Sequence, residues 1–464
     1  MKGFLRKFIG DKNFYRMVLT VAVPIMIQNG ITNFVGLLDN IMVGSVGTEQ
    51  MSGVSIVNQL MMVFNISIFG ATSGAGIFGA QFYGCGDKEG MRHTFRFKII
   101  SCVSIVIIGI LIFLFAGEAL ISLYLLGEGD PASIEATLNH GKRYLFIMLF
   151  GLLPFTVEQI YTSSLRECGE TMLPMKAGIV AVFVNLVLNY LFIFGHLGFP
   201  AMGSAGAAIA TVISRYVQVL IVVIWTHRHK EQMYFIQRAY ESLHIPMKLV
   251  LEILKKGTPL MMNEIMWASG MAVLTQCYSI QGLNVIAALN INSTIANLFN
   301  VVFIALGSAV AIVVGQLLGA DKMEEAVDTN TKLTAFSVMC CFGMGSLLYL
   351  CAPLFPLFYN TSDTVREIAT GFIRVSAVCM PLYGFAHATY FTLRSGGKTI
   401  ITFLFDSCFV WGITIPFAYV LTHFTTLTPI LVFFLCQSLD WVKCVIGFIL
   451  VKKRVWVNRL VIGA

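Results

Sequence analysis

The sequence is poor in charge. Only 12% of its 464 residues are Asp, Glu, Lys or Arg, against 57% apolar side chains and a mean hydropathy of +0.80. A soluble domain carries about a quarter charged residues, so a soluble globular chain is excluded. Paired cysteines are missing too: the eleven are an odd number, lie mostly in apolar stretches and form no CxxC, which leaves no basis for a disulfide frame or a zinc site. Enzyme signatures are likewise lacking, with no HExxH, no GxSxG and no His and carboxylate cluster at ligand spacing. Gly74, Gly76 and Gly79 in GAGIFG match GxGxxG, but no strand-to-helix unit surrounds them. Glycines at this spacing in an apolar helix serve close helix packing. SGGKT at 395–399 resembles the end of a phosphate loop, yet Thr392 stands where the first glycine is required. Neither membrane-enzyme chemistry, nor a cofactor, nor ATP-driven pumping by this chain is expected.

What the sequence has is long apolar runs. A membrane span needs about 20 mostly apolar residues, and polar interruptions divide the chain into about twelve such runs, at 15–42, 51–82, 96–116, 143–164, 177–195, 206–226, 258–280, 286–318, 332–352, 370–392, 400–421 and 429–450. Lipid admits only helices and closed barrels, and runs this long without alternation are not barrel strands. An all-α membrane protein is expected. Its start, MKGFLRKFIGDKNFYRM, is basic and amphipathic, lacks a small-residue cleavage site and leads into a full span, so no removable signal peptide is read.

Basic residues give the orientation. With a cytoplasmic N-terminus, 25 of the 31 Lys and Arg fall on that side: Lys2, Arg6, Lys7, Lys12 and Arg16, those of 88–98, Arg166 and Lys176, six in 228–256, Lys322 and Lys332, Arg394 and Lys398, and those of 452–459. Only Lys142, Arg143 and Arg366 fall opposite. This is the positive-inside pattern, with both termini cytoplasmic, and it accounts for the net charge of +7 without nucleic-acid binding.

The chain repeats itself. FGAQFYGCGDK near the end of the second span returns as VGQLLGADK at the end of the eighth; Gln81 and Gln316, Gly84 and Gly319, and Pro24 and Pro259 are each 235 residues apart. LRECGET from Leu165 returns as LRSGGKT from Leu393. Two halves of six spans follow, 1–226 and 258–464, joined by a charged linker over 227–257. An even number of spans in each half makes the repeats parallel, and parallel repeats place substrate near the midplane between them.

Five acids fall inside spans: Asp39, Glu158, Glu264, Asp406 and Asp440. A carboxylate in hydrocarbon costs several kcal/mol unless neutralised or partnered, so intramembrane acids mark function. Asp440 has Lys443 one turn on and reads as half of a structural pair. Glu158 and Asp406 lie near expected cytoplasmic ends and read as solvated or interfacial. Asp39 and Glu264 remain, on the equivalent first and seventh spans but at different distances from Pro24 and Pro259, so the halves are specialised. Asn185 and Asn189 in NLVLN share one helix face and, with Thr211, are the partners expected for Asp39. Their oxygens suit a hard cation, a possible sodium site, while their N–H groups suit an ionised carboxylate after a proton leaves. Pro24 removes a backbone hydrogen bond and is read as a hinge. Asn263 and Trp267, with nearby methionines, stand around Glu264 in the sequence.

Seven ordered motifs then carry a family resemblance: DNIMVG at 39–44, GAQFYGCGDKEG at 79–90, LRECGETMLP at 165–174, the long stretch NLVLNYLFIFGHLGFPAMGSAGAAIATVISR at 185–215, GTPLMMNEIMW at 257–267, GQLLGADKMEEA at 315–326 and LRSGGKT at 393–399. Over essentially its full length the chain resembles the multidrug and toxic compound extrusion (MATE) transporters of bacteria. The resemblance implies a V-shaped pair of six-helix bundles around a central cavity, working as a monomer in the inner, cytoplasmic membrane. It also implies export of organic cations and drugs in exchange for inward protons or sodium ions. By the same resemblance Asp39, Asn185, Asn189 and Thr211 correspond to the ion site of the N-terminal lobe and Glu264 to the acid of the C-terminal lobe. The resemblance further implies that Glu264, with Asn263, Trp267 and the nearby methionines, meets the positive charge and apolar body of a substrate. Some relatives carry an aspartate where Asn189 stands; its lack leaves Asp39 the sole acid there and weakens the case for tight sodium binding. Some carry an acid in the tenth span, where this chain offers His387; its ordinary pKa near 6.5 suits proton coupling, a place among the substrate-binding residues is the other functional role, and a core histidine bonded to backbone is the structural alternative. Two alternatives are a flippase of lipid-linked oligosaccharides and an ion-coupled transporter of a natural metabolite. A flippase needs basic residues for phosphate, and only Arg215, Arg374 and Lys443 lie well inside spans.

Overall fold

Every expected apolar run becomes helix. The computed structural model describes residues 7–125, 130–359 and 361–461, in which no strand occurs; Lys2 and Arg6 of the orientation argument lie outside them. The helices are α1 (Lys12–Gly44), α2 (Thr48–Cys85), α3 (Lys88–Tyr124), α4 (Pro131–Leu149), α5 (Leu152–Glu167), α6 (Met172–Phe194) and α7 (Ser204–Arg228). They continue as α8 (Met247–Ser279), α9 (Leu283–Gly319), α10 (Met323–Cys351), α11 (Asp363–Ser395), α12 (Thr399–Phe424) and α13 (Pro429–Lys452).

Ten of these are long and apolar enough to cross a membrane, and α4 with α5, bent by 48°, makes an eleventh span. The bend has a local cause. Pro154, in the first turn of α5, has no N–H to donate back to Phe150 and its ring crowds that carbonyl. The remaining expected span, 258–280, lies in α8, where Asn263, Glu264 and Gln276 inside the run keep its hydropathy below that of its neighbours. Both repeat prolines, Pro24 and Pro259, stand inside helices that continue past them.

The chain forms two compact units. One comprises Met1–Met26, Ala80–Asp87 and Ile253–Ala464; the other comprises Ile27–Gly79 and Lys88–Glu252. In the first, Val18, Ala22 and Ile25 of α1 join Ala305, Ala309 and Val313 of α9 and Ala388 of α11 in one apolar core. The repeated glycines explain why its helices pack so closely: a Cβ on Gly84 would overlap the backbone carbonyl of Gln316, and one on Gly319 would overlap that of Gln81. The two copies of the motif thus pack against each other. Gln81, fully buried, uses its side chain to tie down the end of the chain, donating to the Ser395 carbonyl at 3.0 Å and accepting from the Leu460 N–H at 2.7 Å.

In the second unit Lys98, wholly buried, donates to Glu167 at 2.5 Å and to Ser164 at 3.0 Å. The bare faces of Gly76 and Gly79 receive the Glu167 carboxylate, so these two glycines of GAGIFG make room for a side chain and not, as their spacing suggested, for a neighbouring helix backbone. The charged segment after α7 is docked rather than loose. Arg96 donates to the carbonyls of Ala239, Arg238 and His244 at 2.9, 3.0 and 3.2 Å, and Phe235 is fully buried.

Overpacking a helix contact costs about 1–3 kcal/mol. Gly84→Ala and Gly319→Ala should each lower the melting temperature of the detergent-solubilised protein, whereas Gly343→Ala on α10, with open space around its Cβ, should not. Equal melting of all three would contradict the close contact.

Candidate functional site

The second unit assembles the four residues expected around Asp39. Asn185 and Asn189 lie one turn apart on α6, Thr211 faces them from α7, and Asp39 comes from α1. The Nδ2 of Asn189 donates to Asp39 Oδ1 at 2.5 Å and to Asn185 Oδ1 at 3.1 Å; Asn185 Nδ2 in turn donates to Thr211 Oγ1 at 3.4 Å. Thr211 completes the row by donating to the Ala207 carbonyl at 2.9 Å. Two acceptors on one amide nitrogen fix the orientation of the Asn189 amide. Its Oδ1 is consequently turned away from both, and this fully buried oxygen accepts no hydrogen bond among the described residues.

The arrangement can act in two ways. The amide N–H holds an ionised Asp39, because a charge-assisted hydrogen bond is about twice as strong as a neutral one. Alternatively, with the Asn189 amide turned over, the carboxylate, Asn189 Oδ1 and Thr211 Oγ1 would offer oxygens to a hard cation, the ligand type such ions require. No group of three or more His, Cys, Asp or Glu among the described residues could hold a metal, so such a cation would rely on amide and hydroxyl oxygens beside one acid.

A second set lies in the first unit, around α8. Asn263 Nδ2 donates to Asp406 Oδ2 at 3.1 Å and to the Tyr390 hydroxyl at 3.4 Å, and that hydroxyl donates to Glu264 Oε1 at 3.3 Å. Asn263 Oδ1 accepts from the Ser407 hydroxyl at 2.7 Å and from its N–H at 3.3 Å. Lys443 from α13 closes the set, 2.5 Å from Asp406 Oδ1. The His387 ring lies 4.4 Å from that of Phe303, tilted by 53°, and has Asp406 and Lys443 as its charged neighbours. Trp267 is 43% exposed on α8 and takes no part in this hydrogen-bonded set. Pro24 is buried within α1.

Three sequence readings are corrected here. Asp406 is not free in solvent: it is half-buried, paired with Lys443 and bonded by Asn263. Lys443 pairs with Asp406 and not with Asp440. The cause lies in two π-helical segments, Leu404–Cys408 and Val410–Thr414, which change the rotation of α12 and which regular helical spacing does not anticipate; such segments are frequent at functional sites. Asp440 stands instead in the first turn of Asp440–Lys452, after an irregularity at Leu439, where the helix dipole favours an acid. Glu158 is not solvated either. It is 3% exposed and accepts from Thr162 at 2.7 Å, Gln159 at 2.8 Å and Gln218 at 3.1 Å. The one available signal for Asp406 was an acid and a lysine of opposite sign on consecutive spans.

Helices long and apolar enough to cross a membrane, with acids among them held by amides, make this a polytopic membrane protein, and the family that its sequence matches is one of transporters. The MatE family model matches residues 24–191 and 259–420, one match in each half, and the chain belongs to that family. A probable multidrug resistance protein, YoeA, of Bacillus subtilis is 25% identical over 423 residues, covering 89% of this chain and 88% of that one. A probable multidrug resistance protein NorM of Thermotoga maritima is 25% identical over 410 residues, covering 88% and 85%. A solved outward-facing conformation of a multidrug resistance MATE family transporter of the MOP superfamily shares the fold, with a TM-score of 0.86, 21% identity and 98% of both chains covered.

Asn263 makes four side-chain hydrogen bonds in a buried place, and stranding buried partners costs about 1–3 kcal/mol for each group left unsatisfied. Asn263→Ala should therefore destabilise the protein by at least 2 kcal/mol on the same scale, read as an earlier thermal unfolding transition in detergent. An unchanged transition would show that the set is not structural.

Proposed function

We propose that this transporter exports cationic, amphipathic drugs by antiport against inward protons or sodium ions, with both termini on the cytoplasmic side. The observation that carries the reading is the Asp39 carboxylate held by the Asn189 N–H, on an amide whose oxygen has no partner among the described residues. It is a place where a single positive charge, proton or sodium, changes the balance of bonds. The names of the relatives, multidrug resistance proteins, support the substrate class. The three basic residues inside spans support cations over phosphates. Arg215 donates to the Gly151 carbonyl, Arg374 lies over the Tyr349 ring and Lys443 pairs with Asp406, so all three are engaged by the protein itself.

The proposed cycle follows from these bonds. Asp39 is ionised while drug is held. An ion from outside neutralises it, the Asn189 N–H loses its anionic acceptor, and α1 shifts, bending at Pro24, where a backbone hydrogen bond is already missing. Glu264 meets the charge of the drug, with Asn263, Trp267 and His387 around it and Met262, Met266 and Met271 offering flexible thioethers to varied apolar bodies. The lobes proposed for this cycle are 1–226 and 258–464, with 227–257 as linker.

Moving a monovalent cation out against an inside-negative potential costs about 2.3 kcal/mol per 100 mV, and one coupling ion moving in returns it. One-for-one exchange is therefore electrically neutral, driven by the ion gradient alone at about 1.4 kcal/mol per pH unit. Ethidium efflux from proteoliposomes, under an imposed proton or sodium gradient each applied alone, identifies the ion. Asp39→Asn at matched protein should cut gradient-driven efflux by about tenfold or more, and Glu264→Gln should do likewise, a tenfold loss being about 1.4 kcal/mol. Undiminished gradient-driven efflux in Asp39→Asn would remove that residue from the mechanism.

A further inference from the structure

Helix α1 is divided between the two units. Up to Met26 it belongs to the first and from Ile27 to the second, so Pro24, where the helix bends most easily, stands just before the change. Past that point two hydrogen bonds fasten α1 to the second unit. Asp39 accepts from Asn189 of α6. Gln28, one turn beyond Pro24, accepts through Oε1 from the Arg166 guanidinium in the last turn of α5, at 2.6 Å. The Gln28 stem lies over Gly178 of α6, where a Cβ would stand 3.7 Å from Gln28 Cγ. Asp39 follows Gln28 by eleven residues, and Asn189 follows Gly178 by the same number. Eleven residues make three turns of helix, about 16 Å, so both ties lie on one face of α1 and one face of α6. The Arg166 guanidinium also keeps a donor in reserve, because its buried Nε has no partner among the described residues.

We propose that Arg166 is a positioning residue for the exchange: by holding Gln28 it resists the departure of α1 from α6, and so sets how much coupling ion is needed to move that helix. An ion that neutralises Asp39 weakens the upper tie alone. The lower tie joins a permanent cation to a neutral amide and is the same whether Asp39 is charged or not. Movement of α1 must therefore work against it in every cycle, and the ion concentration at which the loaded helix moves rises with its strength. One tie reads the ion and the other sets the threshold. The inference deepens the export reading above and rests on it.

The test is ethidium efflux from proteoliposomes at increasing concentrations of the driving ion, read as the ion concentration for half-maximal rate and, separately, as the maximal rate. Gln28→Met keeps the length of the side chain but removes the acceptor, and should reach half-maximal efflux at about tenfold lower ion concentration, the scale of one hydrogen bond to a charged group, with the maximal rate preserved. Gln28→Glu offers the guanidinium a carboxylate that can also engage the free Nε, and should need about tenfold more ion. Arg166→Met should match Gln28→Met, and the double variant should shift no further than either. If Arg166→Met does not fold, the opposite shifts of the two Gln28 variants decide. Shifts of the same sign, no shift, or a change in maximal rate alone would mark a merely structural contact; each overturns the inference and leaves the export reading standing. Wild-type protein that moves no ethidium under either ion gradient overturns the export reading, and this inference with it.

Discussion

A carboxylate cannot stay ionised in hydrocarbon without a donor aimed at it, and much of this molecule is arranged around that requirement. Both units meet it with an asparagine from a neighbouring helix. Asn189 spends its two Nδ2 hydrogens on Asp39 and Asn185, and Asn263 spends its own on Asp406 and Tyr390. The amide oxygens separate the two cases. That of Asn263 is closed by Ser407, while that of Asn189 accepts nothing among the described residues. One site is saturated and the other keeps an unused acceptor on the amide that holds its acid. This difference supports the proposal that an ion comes and goes at the Asp39 group.

The repeat set the stage for that divergence. Its packing features are kept in register, since Gly84 and Gly319 each clear the backbone of the partner motif and Pro24 and Pro259 each sit inside a long helix. Its charged features are not kept. Asp39 and Glu264 stand at different steps from those prolines, and Lys443 balances an acid in the first unit for which the Asp39 group has no counterpart lysine among the described residues. A duplicated scaffold therefore holds two chemically different sites.

The helices were legible because lipid leaves the backbone few options and length then identifies each span. The Asp39 partners were legible because Asn185 and Asn189 lie on a regular helix, where a spacing of four means a shared face. Reading failed where the helix is not regular. Asp406 and Lys443 meet across consecutive spans through a π-helical segment, so the i,i+3 spacing of Asp440 and Lys443 pointed to the wrong pair. Glu158 was misread for another reason: its donors Thr162 and Gln218 are neutral, and sequence alone gives no sign that they surround an acid.

The central claim is that drug and coupling ion are linked through Asp39. Purified protein in weakly buffered detergent solution, titrated with tetraphenylphosphonium, should release its coupling ion as drug binds, seen as acidification or as displaced radioactive sodium. In Asp39→Asn protein that still binds drug, the release should vanish. Release of the ion in full by Asp39→Asn would contradict the account.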